Sequence, residues 1–136
     1  MLFRSASGFF QNCNSTPFQT TTGPGNPDPE KYPVTMGIET HMTNRALRAT
    51  ELFSTDDTIT WDEFLKYKFD VKYSTASPMG RSIKALTEYA GAHPDQVDKQ
   101  AMDLLRAWDL GTQSDSTAAA LGVITVNRLV DRKSVV

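Results

Sequence analysis

The feature that most constrains the fold is a series of helical periods that fills residues 36–136. Apolar residues recur there every three or four positions, and this spacing places them on one face of an α-helix. The stripes contain Ile38, Met42, Ala46, Ala49 and Phe53, then Ile83, Leu86 and Ala90, and then Val97, Ala101, Leu104, Leu105 and Trp108. The pattern predicts a mainly α chain, with four or five helices after one short N-terminal strand.

Start and stop signals support the same prediction. Thr60–Glu63 has the sequence of a capping box, in which the threonine and the glutamate satisfy backbone N–H groups at a helix start. Ser77–Pro78 supplies an N-cap followed by a proline at the first helical position. A further helix is expected to begin at Pro94 and to be closed by Gly111, since proline favours a helix start and glycine a stop.

Residues 113–130 admit two interpretations. Asp115 or Ser116 can cap a helix that continues through Thr125. The run Val123–Val126, however, consists of β-branched residues, which strands accommodate well. We favour the helix.

Gly8–Phe18 is the second informative stretch, because an apolar run ends there in Asn12 and Asn14, followed by Pro17. We predict a strand near residues 6–12 that delivers two carboxamides to its carboxyl end. A carboxamide offers two N–H donors and does not titrate, so it suits a site that stabilises an oxyanion. The alternative is an Asx-turn, in which the asparagine side chains cap their own backbone.

Residues 19–35 are predicted to form a loop that separates two other regions. Thr20–Pro29 holds two glycines and three prolines with no apolar period. Asp28 and Glu30 are too few carboxylates for a calcium site, so a solvated loop is favoured. We therefore divide the chain into a strand and asparagine motif at 1–18, a Pro/Gly loop at 19–35 and a helical region at 36–136.

The composition excludes several classes of protein. With 39% hydrophobic residues and a net charge of −2, the 136 residues are typical of about one soluble globular domain. No basic block points to nucleic acid, and no apolar run approaches the roughly 18 residues of a membrane span. Cys13 is the single cysteine, which excludes an intrachain disulfide. Met1–Gly8 lacks the plan of a signal peptide.

Four features, taken in order, resemble the penicillin acylase family of N-terminal-nucleophile amidohydrolases. Gln11–Pro17 resembles the family's Asn-x-Asn-x-x-Pro segment, and Arg45 matches an arginine near the start of the next helix. The helix capped at Thr60 and the Trp-Asp element at Trp108–Asp109 complete the order. The resemblance covers most of the chain and implies a fragment of a larger αββα hydrolase, with residues 1–18 belonging to the hydrolase core.

The resemblance implies catalytic roles for two residues. Asn14 matches the family's oxyanion donor, and Arg45 is expected to hold the local charge and geometry. We further expect Arg45, rather than Arg48, to be the buried arginine, with its planar fork of donors directed toward the Asn12–Asn14 turn. His41 is interpreted as a structural or surface residue, because the base in this chemistry is the nucleophile's own α-amine.

The resemblance also implies that the nucleophile lies outside this chain. Enzymes of the family cut themselves, and the new N-terminal Ser, Cys or Thr of the larger chain is the nucleophile. No such cleavage pair opens this sequence. We therefore expect an internal piece of the larger chain, inactive alone, which needs the remaining parts of the same protein to act on a small acylated amine.

The other expectations are brief. The substrate-binding residues stay unassigned, and we expect no cofactor or metal in this piece, although calcium is compatible with the full-length enzyme. We expect neither nucleic acid nor a membrane as a partner, and the family suggests a periplasmic or extracellular location.

Two other functions are compatible with the sequence. One is a non-catalytic α-helical interaction module, whose asparagines only cap a turn. The other is a helical enzyme that uses His41 or His93 together with nearby carboxylates, and it is the weakest of the three hypotheses.

Overall fold

The computed structural model of this protein describes residues 5–133, with the side chains of residues 5–130. Five α-helices form in this range, all after residue 36, and short 3₁₀ turns and loops connect them. The helices are α1 (Asn44–Ser54), α2 (Trp61–Lys68), α3 (Pro78–Ala92), α4 (Lys99–Ala107) and α5 (Thr117–Lys133). The prediction of a mainly α chain is confirmed, and residues 117–133 are helical rather than extended.

The chain divides into two compact units, Met1–Asp70 and Val71–Val136. The first unit carries the asparagine motif, the Pro/Gly loop, α1 and α2. The second unit carries α3, α4 and α5. In the part of the chain that the structure describes, no helix is long and apolar enough to cross a membrane.

Every helix begins after a polar side chain that accepts a hydrogen bond from the backbone of its first turn. These side chains are Thr43, Thr60, Ser77, Asp98 and Ser116. The capping box is complete, because the Glu63 carboxylate accepts from the backbone N–H of Thr60 at 2.9 Å. Each cap satisfies an N–H group that has no partner within its own helix, so the starts are fixed locally.

Two helix boundaries differ from the prediction. The helix expected from Pro94 begins at Lys99, because Pro94–Gln96 forms a separate 3₁₀ turn and Val97 is extended. Helix α1 begins at Asn44, since its cap is the residue before, so the first two residues of the predicted apolar stripe precede the helix.

The strand expected near residues 6–12 is not formed in the described part of the chain. Gly8 instead sits in a turn with φ 82°, where its N–H donates to the Ser5 carbonyl at 3.2 Å. Further on, the Gln11 N–H donates to the Thr20 carbonyl at 2.8 Å. A strand without a partner strand gains no ladder of hydrogen bonds, so turns and side chains hold this segment.

Aromatic contacts join the N-terminal segment of the first unit to α1, and α1 to α2. The Phe53 ring of α1 lies 5.9 Å from Phe9 and 5.6 Å from Tyr67 of α2, measured between ring centroids. The Tyr67 hydroxyl donates to the Asp56 carboxylate at 2.7 Å, and this hydrogen bond raises the pKa of Tyr67. The segment that carries the asparagines is therefore packed against α1.

The second unit has a continuous apolar core between its three helices. The buried members are Met79, Ile83, Ala90, Met102, Leu105, Trp108, Ala119 and Val126. Trp108 is 8% exposed, and its indole N–H donates to the Gly111 carbonyl at 2.8 Å. Asp109 pairs with Lys72 at 2.5 Å, and that ammonium lowers the pKa of the Asp109 carboxyl. Within the Trp-Asp element, Trp108 thus packs in the core and Asp109 forms an ion pair with Lys72.

Candidate functional site

A buried glutamine, Gln11, organises the asparagine turn. Its side chain accepts from the Cys13 N–H at 3.1 Å and donates to the Gln19 carbonyl at 2.9 Å and to the Ser15 hydroxyl at 3.2 Å. Gln11 is only 6% exposed, so these bonds form where water competes little. The sequence prediction missed this residue, although a glutamine at the end of an apolar run was a signal for it.

Asn14 holds the left-handed backbone conformation, with φ 53°. Asparagine tolerates this region better than most residues, so the chain can turn sharply there. Among the described residues, neither Asn12 nor Asn14 caps its own backbone with its side chain. The Asx-turn interpretation is therefore wrong, and Gln11 performs the capping that it assigned to the asparagines.

The side chain of Asn14 contacts Arg45 instead. The Arg45 Nη2 group donates to the Asn14 Oδ1 atom at 2.8 Å, across 31 positions of sequence. The predicted direction of the Arg45 guanidinium, toward the asparagine turn, is confirmed. The pair lies at the surface of the described chain, since both residues are exposed.

The contact defines which way the carboxamide faces. Arginine has only donors, so the atom that meets it must be the amide oxygen rather than the nitrogen. The Asn14 Nδ2 group then points away from Arg45, and among the described residues no hydrogen bond holds it.

Two backbone connections place Arg45 beside the turn. The Thr43 hydroxyl, which caps α1, donates to the Cys13 carbonyl at 2.8 Å. The Thr16 N–H donates to the His41 carbonyl at 3.0 Å, and Thr16 is 1% exposed. The chain before α1 therefore runs alongside the asparagine turn, and the first turn of the helix carries Arg45 to it.

Arg48, and not Arg45, is the less exposed arginine of α1, so the expectation about burial is wrong. Arg48 binds both carboxylate oxygens of Asp70, at 3.0 and 2.7 Å, and one oxygen of Glu51 at 2.7 Å. Its side chain is 20% exposed, and the hydrogen bonds that it donates to Asp70 hold its pKa above the usual value. Asp70 follows α2, so this bidentate pair fastens α1 to the end of α2.

The side chains of the two histidines have other partners. His41 is 89% exposed in its side chain, and its Nδ1 atom lies 2.7 Å from the Glu39 carboxylate, as predicted for a surface residue. Hydrogen bonds from the backbone and then the ring of His41 lower the pKa of Glu39. His93 stacks on Tyr89 with ring centroids 4.2 Å apart. Among the described residues, no hydrogen bond joins the His41 side chain to Asn14.

The Pro/Gly loop is held by its own polar side chains. The Asp28 carboxylate accepts from the Glu30 N–H at 3.1 Å and caps a short 3₁₀ turn. Asn26 accepts from the backbone of Thr20 at 2.8 Å and donates to the Thr21 carbonyl at 2.8 Å. In residues 5–130, no group of three or more His, Cys, Asp and Glu side chains could hold a metal ion.

A comparison with protein families decides what kind of chain this is. The model of the penicillin amidase family matches residues 1–134, which is nearly the whole sequence. The chain belongs to the penicillin amidase family. The family predicted from the sequence is thereby confirmed. Membership makes the chain an amidohydrolase-like member of this family.

Proposed function

We propose that this chain is part of an N-terminal-nucleophile amidohydrolase that cleaves the non-peptide C–N amide bond of an acylated small amine. In this proposal the reaction is acyl transfer to water through an acyl-enzyme, and Asn14 donates to the oxyanion. The observation that carries the proposal is the 2.8 Å hydrogen bond from Arg45 to Asn14. With Oδ1 held by Arg45, the two amide N–H groups of Asn14 face away from the guanidinium, and no hydrogen bond from the described residues holds them.

Asn14 acts when the nucleophile adds to the carbonyl carbon of the substrate. The carbonyl oxygen then gains a negative charge, and N–H donors about 3 Å away stabilise it. A carboxamide is neutral throughout the pH range of enzymes and moves no proton itself. Its contribution grows as the charge develops, so it lowers the barrier more than it strengthens substrate binding.

Arg45 serves this step by holding the far side of the same carboxamide. A guanidinium keeps its charge at every relevant pH, so its hydrogen bond to the Asn14 oxygen persists. Donation to the oxygen also polarises the amide, which makes its N–H groups better donors. Arg45 therefore orients the oxyanion donor and strengthens it.

The nucleophile, with its free α-amine as base, is supplied by another part of the full-length protein in this proposal. Cys13 and the serines of this chain are not assigned that role. The 136 residues alone should therefore turn over no acyl-amine substrate. The alternative is a non-catalytic α-helical interaction module, and it stays a second hypothesis, although Gln11 and not the asparagines caps the turn among the described residues.

The test is the pair Asn14→Ala and Asn14→Gly in the full-length, self-processed enzyme. Both variants remove the carboxamide, but glycine adopts φ 53° without strain whereas alanine does not. We expect both to lower kcat by about 10²–10³, with little change in KM, since one oxyanion donor is worth that much. If the glycine variant keeps the wild-type kcat, the carboxamide has no catalytic role and the proposal fails.

Asn12→Ala is the matched control. Asn12 is the same residue type two positions earlier, is exposed, and makes no side-chain hydrogen bond among the described residues. We expect it to lower kcat far less than the Asn14 variants. Loss of activity at Asn12 with retention at Asn14, in properly processed enzyme, would reverse the assignment of the two asparagines.

A further inference from the structure

The Thr43 hydroxyl makes two hydrogen bonds that belong to different parts of the site. Its oxygen accepts from the Ala46 N–H at 3.3 Å, which caps α1. Its hydrogen is donated to the Cys13 carbonyl at 2.8 Å, 30 positions earlier in the chain. One small group therefore joins the start of α1 to the asparagine turn.

Each of these bonds lies next to a residue of the candidate site. The Cys13 carbonyl belongs to the peptide group that precedes Asn14. A hydrogen bond to this carbonyl holds the plane of the peptide group and so restricts the φ angle of Asn14, which is left-handed. Arg45 lies two positions after Thr43, in the first turn of the helix that the cap starts. The Thr43 hydroxyl thus positions the backbone of Asn14 and of Arg45, whose side chains share the 2.8 Å hydrogen bond.

Fewer residue types can make both hydrogen bonds of Thr43 than can cap a helix. Serine, threonine, aspartate and asparagine all cap helices well, because each offers an acceptor oxygen. Only a hydroxyl accepts and donates through one atom. The cap of α4 is Asp98, whose carboxylate accepts from Ala101 at 2.7 Å and has no proton to donate.

We propose that Thr43 is a positioning residue for the reaction, acting by holding the Asn14 peptide and the Arg45 helix in register. The inference rests on the proposed function, because it gives Thr43 a role only through Asn14 and Arg45. The Thr43 hydroxyl has no contact with substrate in this proposal. Its loss displaces the oxyanion donor, and displacements of about 1 Å in an active site cost up to about a hundredfold in rate.

The experiment compares Thr43 with Thr60 in the full-length enzyme. Thr60 caps α2 by accepting from the Glu63 N–H at 3.3 Å, and it belongs to the same unit. Thr43→Val and Thr60→Val each remove a cap hydroxyl without changing the shape of the side chain. We expect both to lower Tm, but only Thr43→Val to lower kcat, by between about tenfold and a hundredfold, with KM little changed.

Two further variants at Thr43 separate positioning from folding. Thr43→Gly keeps most of the capping effect, since glycine is nearly as good an N-cap as threonine, but it removes the link to Cys13. It should fold with a Tm near that of the wild type and still lose kcat. Thr43→Ser keeps both hydrogen bonds and should restore most of the lost kcat.

A control variant distinguishes a failure of the role of Thr43 from a failure of the proposed function. Asn14→Gly is measured in the same assay. If Asn14→Gly loses kcat while Thr43→Gly and Thr43→Val keep it, Thr43 is a helix cap only and this inference is overturned. If Asn14→Gly keeps kcat, the proposed function fails, and the role of Thr43 fails with it.

Discussion

At the scale of single residues, α1 carries two arginines with opposite surroundings. Arg45 is exposed and meets Asn14, whereas Arg48 is partly buried and binds Asp70 with two hydrogen bonds. The same substitution at the two positions should therefore separate catalysis from stability. An exposed residue contributes little to the free energy of unfolding, while a bidentate ion pair with little exposure contributes more.

We expect Arg45→Met to lower kcat of the full-length enzyme by about tenfold or more, because the Asn14 carboxamide loses the group that orients it and an oxyanion donor is worth about 10²–10³ in kcat. Its free energy of unfolding should change by less than about 0.5 kcal/mol. Arg48→Met should show the reverse, with a loss of about 1–3 kcal/mol in stability and little change in kcat. Steady-state kinetics and urea unfolding measure both. Equal losses of kcat at Arg45 and Arg48 would refute the separation.

The prediction that Arg45 is directed toward the asparagine turn was right, but the prediction that Arg45 is buried was wrong. In the family, the asparagine motif is followed by an arginine near the start of the next helix, and this order can be read directly from a sequence. Exposure is set by packing, and Arg48 is sheltered by Asp70, which lies 22 positions further on. Gln11 was missed for the same reason, because its partners become neighbours only when the turn forms.

At the scale of elements, α5 packs closely against Trp108 through Gly122. A Cβ atom on Gly122 would overlap the indole, at 2.9 Å from its Cε3 atom. Gly91 in α3 is the contrasting case, since the nearest atom to its Cβ would be Arg106 Nη2 at 3.9 Å. Both glycines are helical, so the same substitution meets a packed core at Gly122 and only an ordinary van der Waals contact at Gly91.

We expect Gly122→Ala to lower the free energy of unfolding by about 1–3 kcal/mol, because overpacking forces the indole or the helix to shift. Gly91→Ala should instead raise it by about 0.5 kcal/mol, through the higher helix propensity of alanine. Thermal unfolding of the 136-residue chain measures both. A stabilising Gly122→Ala would show that the contact with Trp108 is not tight.

The elements were predicted better where a signal is local. The caps at Thr60 and Ser77 were identified from adjacent residues, since capping involves only the first turn. The start of α4 was misplaced because proline favours a 3₁₀ turn as well as a helix, and Asp98 four positions later supplies the better cap. The strand near residues 6–12 failed because a strand depends on a partner that its own sequence does not specify.

At the scale of the whole molecule, the two units are built differently. Among the described residues, the second unit has an apolar core of eight buried residues, whereas the buried residues of the first unit include Gln11, Thr16 and Thr21. Apolar periodicity predicts a helical unit with an apolar core well. It predicts a unit held by hydrogen-bonded turns poorly, because such turns follow no period. The candidate site lies in the unit held by turns. The order of the family's motifs therefore indicated the site, whereas apolar periodicity did not.

The most direct test of the oxyanion role of Asn14 is the affinity of a boronic acid for the full-length enzyme. A boronic acid that carries the acyl group of the best amide substrate forms a tetrahedral adduct with the nucleophile and presents an oxygen where the oxyanion develops. We predict that Asn14→Gly weakens its binding by about 10²–10³, the same factor by which it lowers kcat/KM. The affinity for the carboxylic acid product should change little. Unchanged binding of the boronic acid to the Asn14→Gly variant would contradict the role assigned to this residue.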